Sequence, residues 1–121
     1  MKKFLFLIII FFSTIINISA ETSGDIKRIF VGNVDAKITI IAFESLTCSH
    51  CANFHKNVYP QLKKEYLDTG LAKIEFRHFP LDVAAFNASK VSQCKNDGKS
   101  DILNSLFTKQ EKWVKGSSTE E

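Results

Sequence analysis

An α/β fold with a largely parallel sheet and helices on its faces is predicted by three features of this 121-residue chain. Ile38, Thr39, Ile40, Ile41 and Phe43 form a nearly continuous β-branched and aromatic run, the pattern of a strand covered on both faces. From about His50 to Leu67 apolar residues recur at helical spacing, and Ala72 to Phe79 then reads as a second strand stopped by Pro80. Strand, helix and strand at this spacing make a βαβ unit, whose crossover is nearly always right-handed.

In chain order, Met1-Lys2-Lys3 followed by the apolar stretch from Phe4 to Ile18 has the layout of a secretory signal, with Ser19 and Ala20 as the small residues before a cut. The stretch is shorter than the roughly 20 apolar residues of a spanning helix, and Ser13, Thr14 and Asn17 dilute its far end. Residues 1–20 are therefore expected to be a cleaved signal peptide, with an uncleaved membrane anchor as the alternative. Glu21 to Lys27 is polar, and Arg28 to Val31 is expected to add a short strand before a turn at Gly32-Asn33 and Asp35.

In the helix, Phe54, Val58, Leu62 and Tyr66 make the apolar stripe, with Cys51 one turn before Phe54 on nearly the same face. Pro60 should kink it, because proline lacks an N–H and crowds the preceding turn. Asp68-Thr69-Gly70 should end it, with Gly70 in the left-handed conformation. After Asp82, Val83, Ala84, Ala88, Val91 and Cys94 line one helical stripe, broken at Asn96-Asp97-Gly98. Ile102, Leu103, Leu106, Phe107 and Trp113 line a second, expected to be capped by Ser100 or Asp101. The closing run Ser117 to Glu121 contains Ser-x-x-Glu, a helix-start signature with no helix after it, so the chain is expected to stop where another element begins.

The chemistry-bearing motif is Cys48-Ser49-His50-Cys51, placed between the strand and the helix. Two thiols three positions apart can close a small disulfide ring. The first sits at a helix N-terminus, where unpaired N–H groups and the helix dipole favour a thiolate, the form that attacks disulfides. His50 can stabilise that thiolate by charge or hydrogen bonding, which makes the disulfide more oxidising. Thiol-disulfide redox chemistry is the expectation. Export fits it, since a C-x-x-C pair outside the cytosol can be held oxidised.

Composition excludes other classes. Sixteen basic against thirteen acidic side chains, interspersed and partly in the signal, leave no nucleic-acid footprint. There are no repeats, and one domain is the ceiling for this length. The alternatives for the thiols are a structural disulfide or half of a zinc site. Zinc would need further ligands, and His55, His78 and Cys94 are candidates without a recognisable ligand spacing; His55 and His78 fit packing or surface roles better. Ala52 after Cys51 removes the usual haem-attachment motif. Cys94, on an apolar stripe, is expected to be a small buried thiol outside the exchange, with a second redox or intermolecular site as the alternative, since an unpaired Cys is unusual in an exported protein.

From about Gly32 to Trp113 the chain resembles the DsbA-like periplasmic thiol-disulfide oxidoreductases of the thioredoxin superfamily. The resemblance is carried by Gly32 to Ala36, by Ser45-Leu46-Thr47-Cys48-Ser49-His50-Cys51-Ala52-Asn53-Phe54-His55, by Tyr59-Pro60, by Phe76 to Leu81, and by Leu106-Phe107 with Gln110 and Trp113. It implies a thioredoxin-like fold with a helical insertion: a core βαβ over about 28–81, the insertion over about 82–115, and residues 21–121 as a partial domain. It also implies that Cys48 is the attacking thiol and Cys51 the buried resolving thiol. The implied partners are reduced, unfolded secreted polypeptides and a membrane DsbB-like protein for reoxidation, and no metal or organic cofactor is implied.

Three departures stand out. Ser49 replaces the family's usual proline, and Ala42 stands where many relatives carry an acid, with Glu44 two residues later at the same strand parity. The family's later cis-proline loop, last two strands and closing helix have no counterpart here. The expected function is an exported oxidoreductase donating the Cys48–Cys51 disulfide. The alternatives are a truncated non-catalytic fragment that keeps the motif and, less favoured, a small metal-binding protein.

Overall fold

The computed structural model describes residues 25–115. The signal expected over 1–20 and the helix start expected in 117–121 lie outside the described residues. Three strands, β1 (Ile29–Gly32), β2 (Ile38–Glu44) and β3 (Ala72–His78), form one sheet in the order β1-β3-β2. β2 and β3 run parallel, with Ile40 opposite Ile74 and Glu44 opposite His78, so the expected βαβ unit is present. β1 pairs antiparallel on the other side of β3, with Val31 opposite Ile74, and the sheet is mixed. Gly32 leaves β1 at φ +107°, and a Cβ there would lie 2.7 Å from the Ala72 carbonyl oxygen, so only glycine lets the two strands meet at this point.

The run between β2 and β3 is helical over 49–67 but not uniformly α. It passes through α1 (Ser49–Asn53), a π turn (Phe54–Val58), α2 (Tyr59–Leu62) and a second π turn (Lys63–Leu67). Pro60 explains the first departure. It stands in the first turn of α2, and the N–H of Tyr59 bonds to the carbonyl of Phe54, five residues back, so the turn is widened before the residue that cannot donate. Each wide turn carries one extra residue and shifts the side-chain phase by about 100°. The buried face is consequently Ala52, His55, Tyr59 and Leu67, with Phe54 and Leu62 packed at its edge. Val58 and Tyr66, expected in the stripe, are exposed. Gly70, at φ +78°, closes the helix as expected.

In α3 (Val83–Ser92), Asp82 caps the first turn by accepting from the Ala85 N–H at 2.7 Å. The face turned inward is Ala85, Ala88, Ser89 and Ser92. The expected stripe is corrected at Val83, Ala84 and Val91, which are exposed. Both serines satisfy their hydroxyls on carbonyls one turn back, Ser89 on Ala85 and Ser92 on Ser89, so small polar residues can be buried where the sequence pattern favours Val. Cys94 is corrected too: α3 ends at Ser92, the helical stripe does not continue through the following turn, and the thiol is exposed.

α4 (Leu103–Thr108) and α5 (Gln110–Trp113) complete the helical segment. Leu103 and Phe107 are buried and Leu106 and Trp113 pack against them, as the second stripe predicted, whereas Ile102 is exposed. Neither Ser100 nor Asp101 supplies a side-chain cap, because Ile102 occupies the cap position and Asp101 pairs with Lys95 at 2.7 Å. One core joins Ile29 of β1, Ile74 and Phe76 of β3, Leu46, Leu67, Leu103 and Phe107. β2 departs from expectation. It is an edge of the described sheet, with Ile38, Ile41 and Phe43 at 57%, 46% and 61% exposure, so it is not covered on both faces. A continuous apolar run reports what a strand could bury, not what lies against it.

Candidate thiol-disulfide active site

The site is built where β2 ends. Leu46, fully buried, anchors the loop, and the Cys48 N–H donates to the Ser45 carbonyl at 3.0 Å. Thr47 donates to Asp82 at 2.6 Å, and the Leu81 N–H donates to the Ser45 hydroxyl at 3.3 Å, so the start of the helical segment is tied to this loop. The Thr47 hydrogen bond, with that from the Ala85 backbone N–H, holds the Asp82 carboxyl below its usual range.

Cys48 is the N-cap residue of the helix, in extended backbone geometry (φ −74°, ψ 119°). Its Sγ accepts from the Cys51 N–H at 3.3 Å, and its carbonyl accepts from the Ala52 N–H at 3.1 Å. The sulfur thus takes the place that a capping oxygen holds elsewhere, against an unpaired helix donor. Cys51 lies one turn along and is half-buried. Burial, and then its own hydrogen bond to Cys48, push its thiol from 9.0 up to about 11, and the Cys48 and Glu44 charges add to this. The two sulfurs sit differently: Cys48 accepts at the helix cap, and Cys51, half-buried, has its proton held by burial and by its hydrogen bond to Cys48.

This shift sets a pH dependence. The folded value lies above the unfolded one, so the stability contributed by a neutral Cys51 is complete below about pH 9 and is lost as pH rises to about 11. The reduced chain should lose resistance to urea across that window. The Cys48–Cys51 disulfide form, in which Cys51 has no proton to lose, should lose less; equal losses in both forms would remove Cys51 as the cause.

His50 lies in the first turn of α1 and is exposed, two residues after Cys48 in sequence and free of the core. A different imidazole occupies the interior. His55 is 2% exposed, its Nε2 within 3.0 and 3.2 Å of the two carboxylate oxygens of Glu44, itself 6% exposed, and its Nδ1 at 3.4 Å from the Asn104 Oδ1. The ring stacks on Phe107 with centroids 4.0 Å apart. This packing role agrees with the sequence reading, but the Glu44 partner went unrecognised. The available signals were the strand parity of Glu44 and the four-residue step from Cys51 to His55, which puts both on one helix face.

The zinc candidates are scattered. His55 sits with Glu44, and His78 faces the Ser92 hydroxyl at 2.7 Å with its pKa lowered by burial. Cys94 is exposed beyond α3. Among the described residues, no group of three or more His, Cys, Asp or Glu side chains is placed to hold a metal ion. Sequence reading also left Gln110 without a role. Its side chain, 9% exposed, donates from Nε2 to the carbonyl of Leu46 at 2.8 Å and to that of Cys48 at 3.0 Å.

Comparison with known proteins agrees with this arrangement. A family model described as Thioredoxin matches residues 25–121. Among solved structures, Wolbachia pipientis alpha-DsbA1 is similar at 36% identity and a TM-score of 0.67, over 73% of this chain and 45% of that one. Oxidised BdbD from Bacillus subtilis is similar at 26% identity and a TM-score of 0.63, over 68% and 47%. A Rickettsia bellii protein whose name marks it as a candidate protein-disulfide oxidoreductase is 34% identical over 91 residues, covering 74% of this chain and 35% of that protein. The chain thus spans about a third of the length of that curated relative and under half of these solved chains. With the family model matched over all the described residues and DsbA proteins as structural neighbours, the chain belongs to the thioredoxin family and is DsbA-like within it.

Proposed function

We propose that this chain is a thiol-disulfide oxidoreductase of the DsbA type, which donates a Cys48–Cys51 disulfide to reduced secreted polypeptides. The observation that carries the reading is the inequality of the two thiols: Cys48 caps a helix with its sulfur on a backbone donor, while Cys51 is held protonated. In the forward reaction a substrate thiolate attacks the Cys48 sulfur. A substrate–Cys48 disulfide forms, the Cys48–Cys51 bond breaks, and Cys51 leaves with the electron pair and takes up a proton. A second substrate thiolate then attacks the substrate sulfur of that mixed disulfide. Cys48 leaves as a thiolate, stabilised by the Cys51 N–H and, on this reading, by exposed His50. Two substrate thiols have become a disulfide, and the protein holds a dithiol.

The same reading assigns residues 1–20 as a signal peptide and 21–121 as a partial DsbA-like domain, places the protein in the periplasm, and calls for reoxidation by a membrane DsbB-like partner. No helix among the described residues is long and apolar enough to cross a membrane. Turnover is the test. Residues 21–121, supplied with glutathione disulfide, should oxidise a reduced, unfolded protein through repeated cycles, read as loss of substrate thiols. Formation of the Cys48–Cys51 disulfide without turnover would select the non-catalytic fragment instead, and stoichiometric metal on the reduced protein would select the metal-binding alternative.

A further inference from the structure

We infer that Gln110 is a positioning residue for Cys48, a clamp by which the helical segment sets the reactivity of the redox loop. Its Nε2 lies within hydrogen-bonding distance of the carbonyl oxygens of both Leu46 and Cys48. Both partners only accept, which assigns the amide orientation: the NH₂ group faces the loop. The side chain is buried, and Gln110 opens α5, immediately after the helix whose Phe107 is locked in the core. A rigid donor therefore reaches the loop from a part of the chain sixty-two residues from Cys48.

The consequence follows from what the two carbonyls would otherwise do. Each is a negative dipole end on the backbone of the redox loop, one of them that of Cys48 itself, and each sets the plane of a peptide on either side of the cap. The Cys48 carbonyl is held by Gln110 together with the Ala52 N–H, and this fixes the residue whose Sγ must face the Cys51 N–H. The loop has independent anchors in buried Leu46 and in the Ser45, Thr47 and Asp82 hydrogen bonds. Loss of the clamp therefore acts on the charge and aim of the Cys48 sulfur rather than on whether the loop folds. Gln110 touches no substrate and no reacting atom; it acts through Cys48.

This inference rests on Cys48 being the reactive thiol but not on turnover of a particular substrate. The test uses the full chain in a Cys94→Ser background. It compares Gln110→Met, which keeps the volume and removes the donor, with Gln110→Glu, which at neutral pH sets a carboxylate against the two carbonyls. The readouts are the rate of Cys48 alkylation by iodoacetamide at pH 7, the equilibrium of the disulfide with glutathione, and thermal melting. Gln110→Met, which loses both hydrogen bonds, should melt cooperatively and react about five- to tenfold more slowly at Cys48, the scale of the one bond made to the Cys48 carbonyl itself. Gln110→Glu should be slower still, and both should be harder to reduce than the parent. A folded Gln110→Met with the parent's alkylation rate and glutathione equilibrium would overturn the inference. So would loss of its cooperative melt, which would leave Gln110 a purely structural residue. If the variants alter Cys48 as stated while the parent fails to oxidise a reduced polypeptide, the proposed function fails and the clamp stands.

Discussion

Replacing Cys51 with serine should turn the chain into a trap: incubated with a disulfide-bonded peptide, it accumulates a stable mixed disulfide at Cys48 and goes no further. The unpaired helix donor behind the Cys48 sulfur remains, since it is the backbone N–H of residue 51, so attack is retained. The resolving thiol is gone, so the intermediate cannot collapse to the Cys48–Cys51 ring. Cys48→Ser should form no such adduct. Both variants should lose substrate oxidation by at least about a thousandfold, a loss of the kind seen when a nucleophile is removed. Peptide mapping of the adduct decides the assignment, and an adduct at Cys94 in place of Cys48 would contradict it. Cys94 is an exposed thiol, so burial does not keep it from exchange. It lies beyond the end of α3 and away from a helix start, and on that ground it is expected to form no such adduct.

The second large effect is on stability. Phe107 is fully buried, stacks on His55 and belongs to the core that holds the helical segment against β3. Phe107→Ala should destabilise the chain by about 3–5 kcal/mol, through lost transfer energy and an unfilled cavity. For a domain of about this size that lowers the melting temperature by roughly 12 °C or more. Urea denaturation of the two proteins measures it, and a change under about 1 kcal/mol would mean that the helical segment is not part of the same cooperative unit. Gln110 and Asn104 lie on the same segment, so the variant should also slow Cys48 alkylation before unfolding is complete.

The parts of this protein legible in its sequence are those set by short-range rules. The strand–turn–helix setting of Cys48 follows from a β-branched run meeting a helical pattern, and its place at a helix N-terminus is local because a helix start leaves N–H groups open whatever packs around it. Gly70 as the helix terminator followed from local backbone sterics in the same way. What failed depended on phase or on partners. Two π turns rotated the helix, so Tyr59 and Leu67 stand inside in place of Val58 and Tyr66. Ser89 and Ser92 went inside because their hydroxyls return to the backbone, which a hydropathy pattern scores as polar. β2 offered apolar residues on both faces but left Ile41 and Phe43 exposed, since no local pattern specifies what covers a sheet. The Glu44–His55 pair and the Gln110 clamp join residues 11 and 62 or more positions apart, distances over which a single sequence carries no pairing signal.

The central claim is that Cys48, by its place at the helix start, is the thiol that performs the chemistry. It is tested most directly by competitive alkylation of the reduced Cys94→Ser chain at pH 7 with limiting iodoacetamide, followed by mass-spectrometric mapping. Carbamidomethyl label should appear on Cys48 at early times and on Cys51 only after Cys48 is consumed, because burial pushes the Cys51 thiol up to about 11. Label appearing on Cys51 as fast as on Cys48 would contradict it.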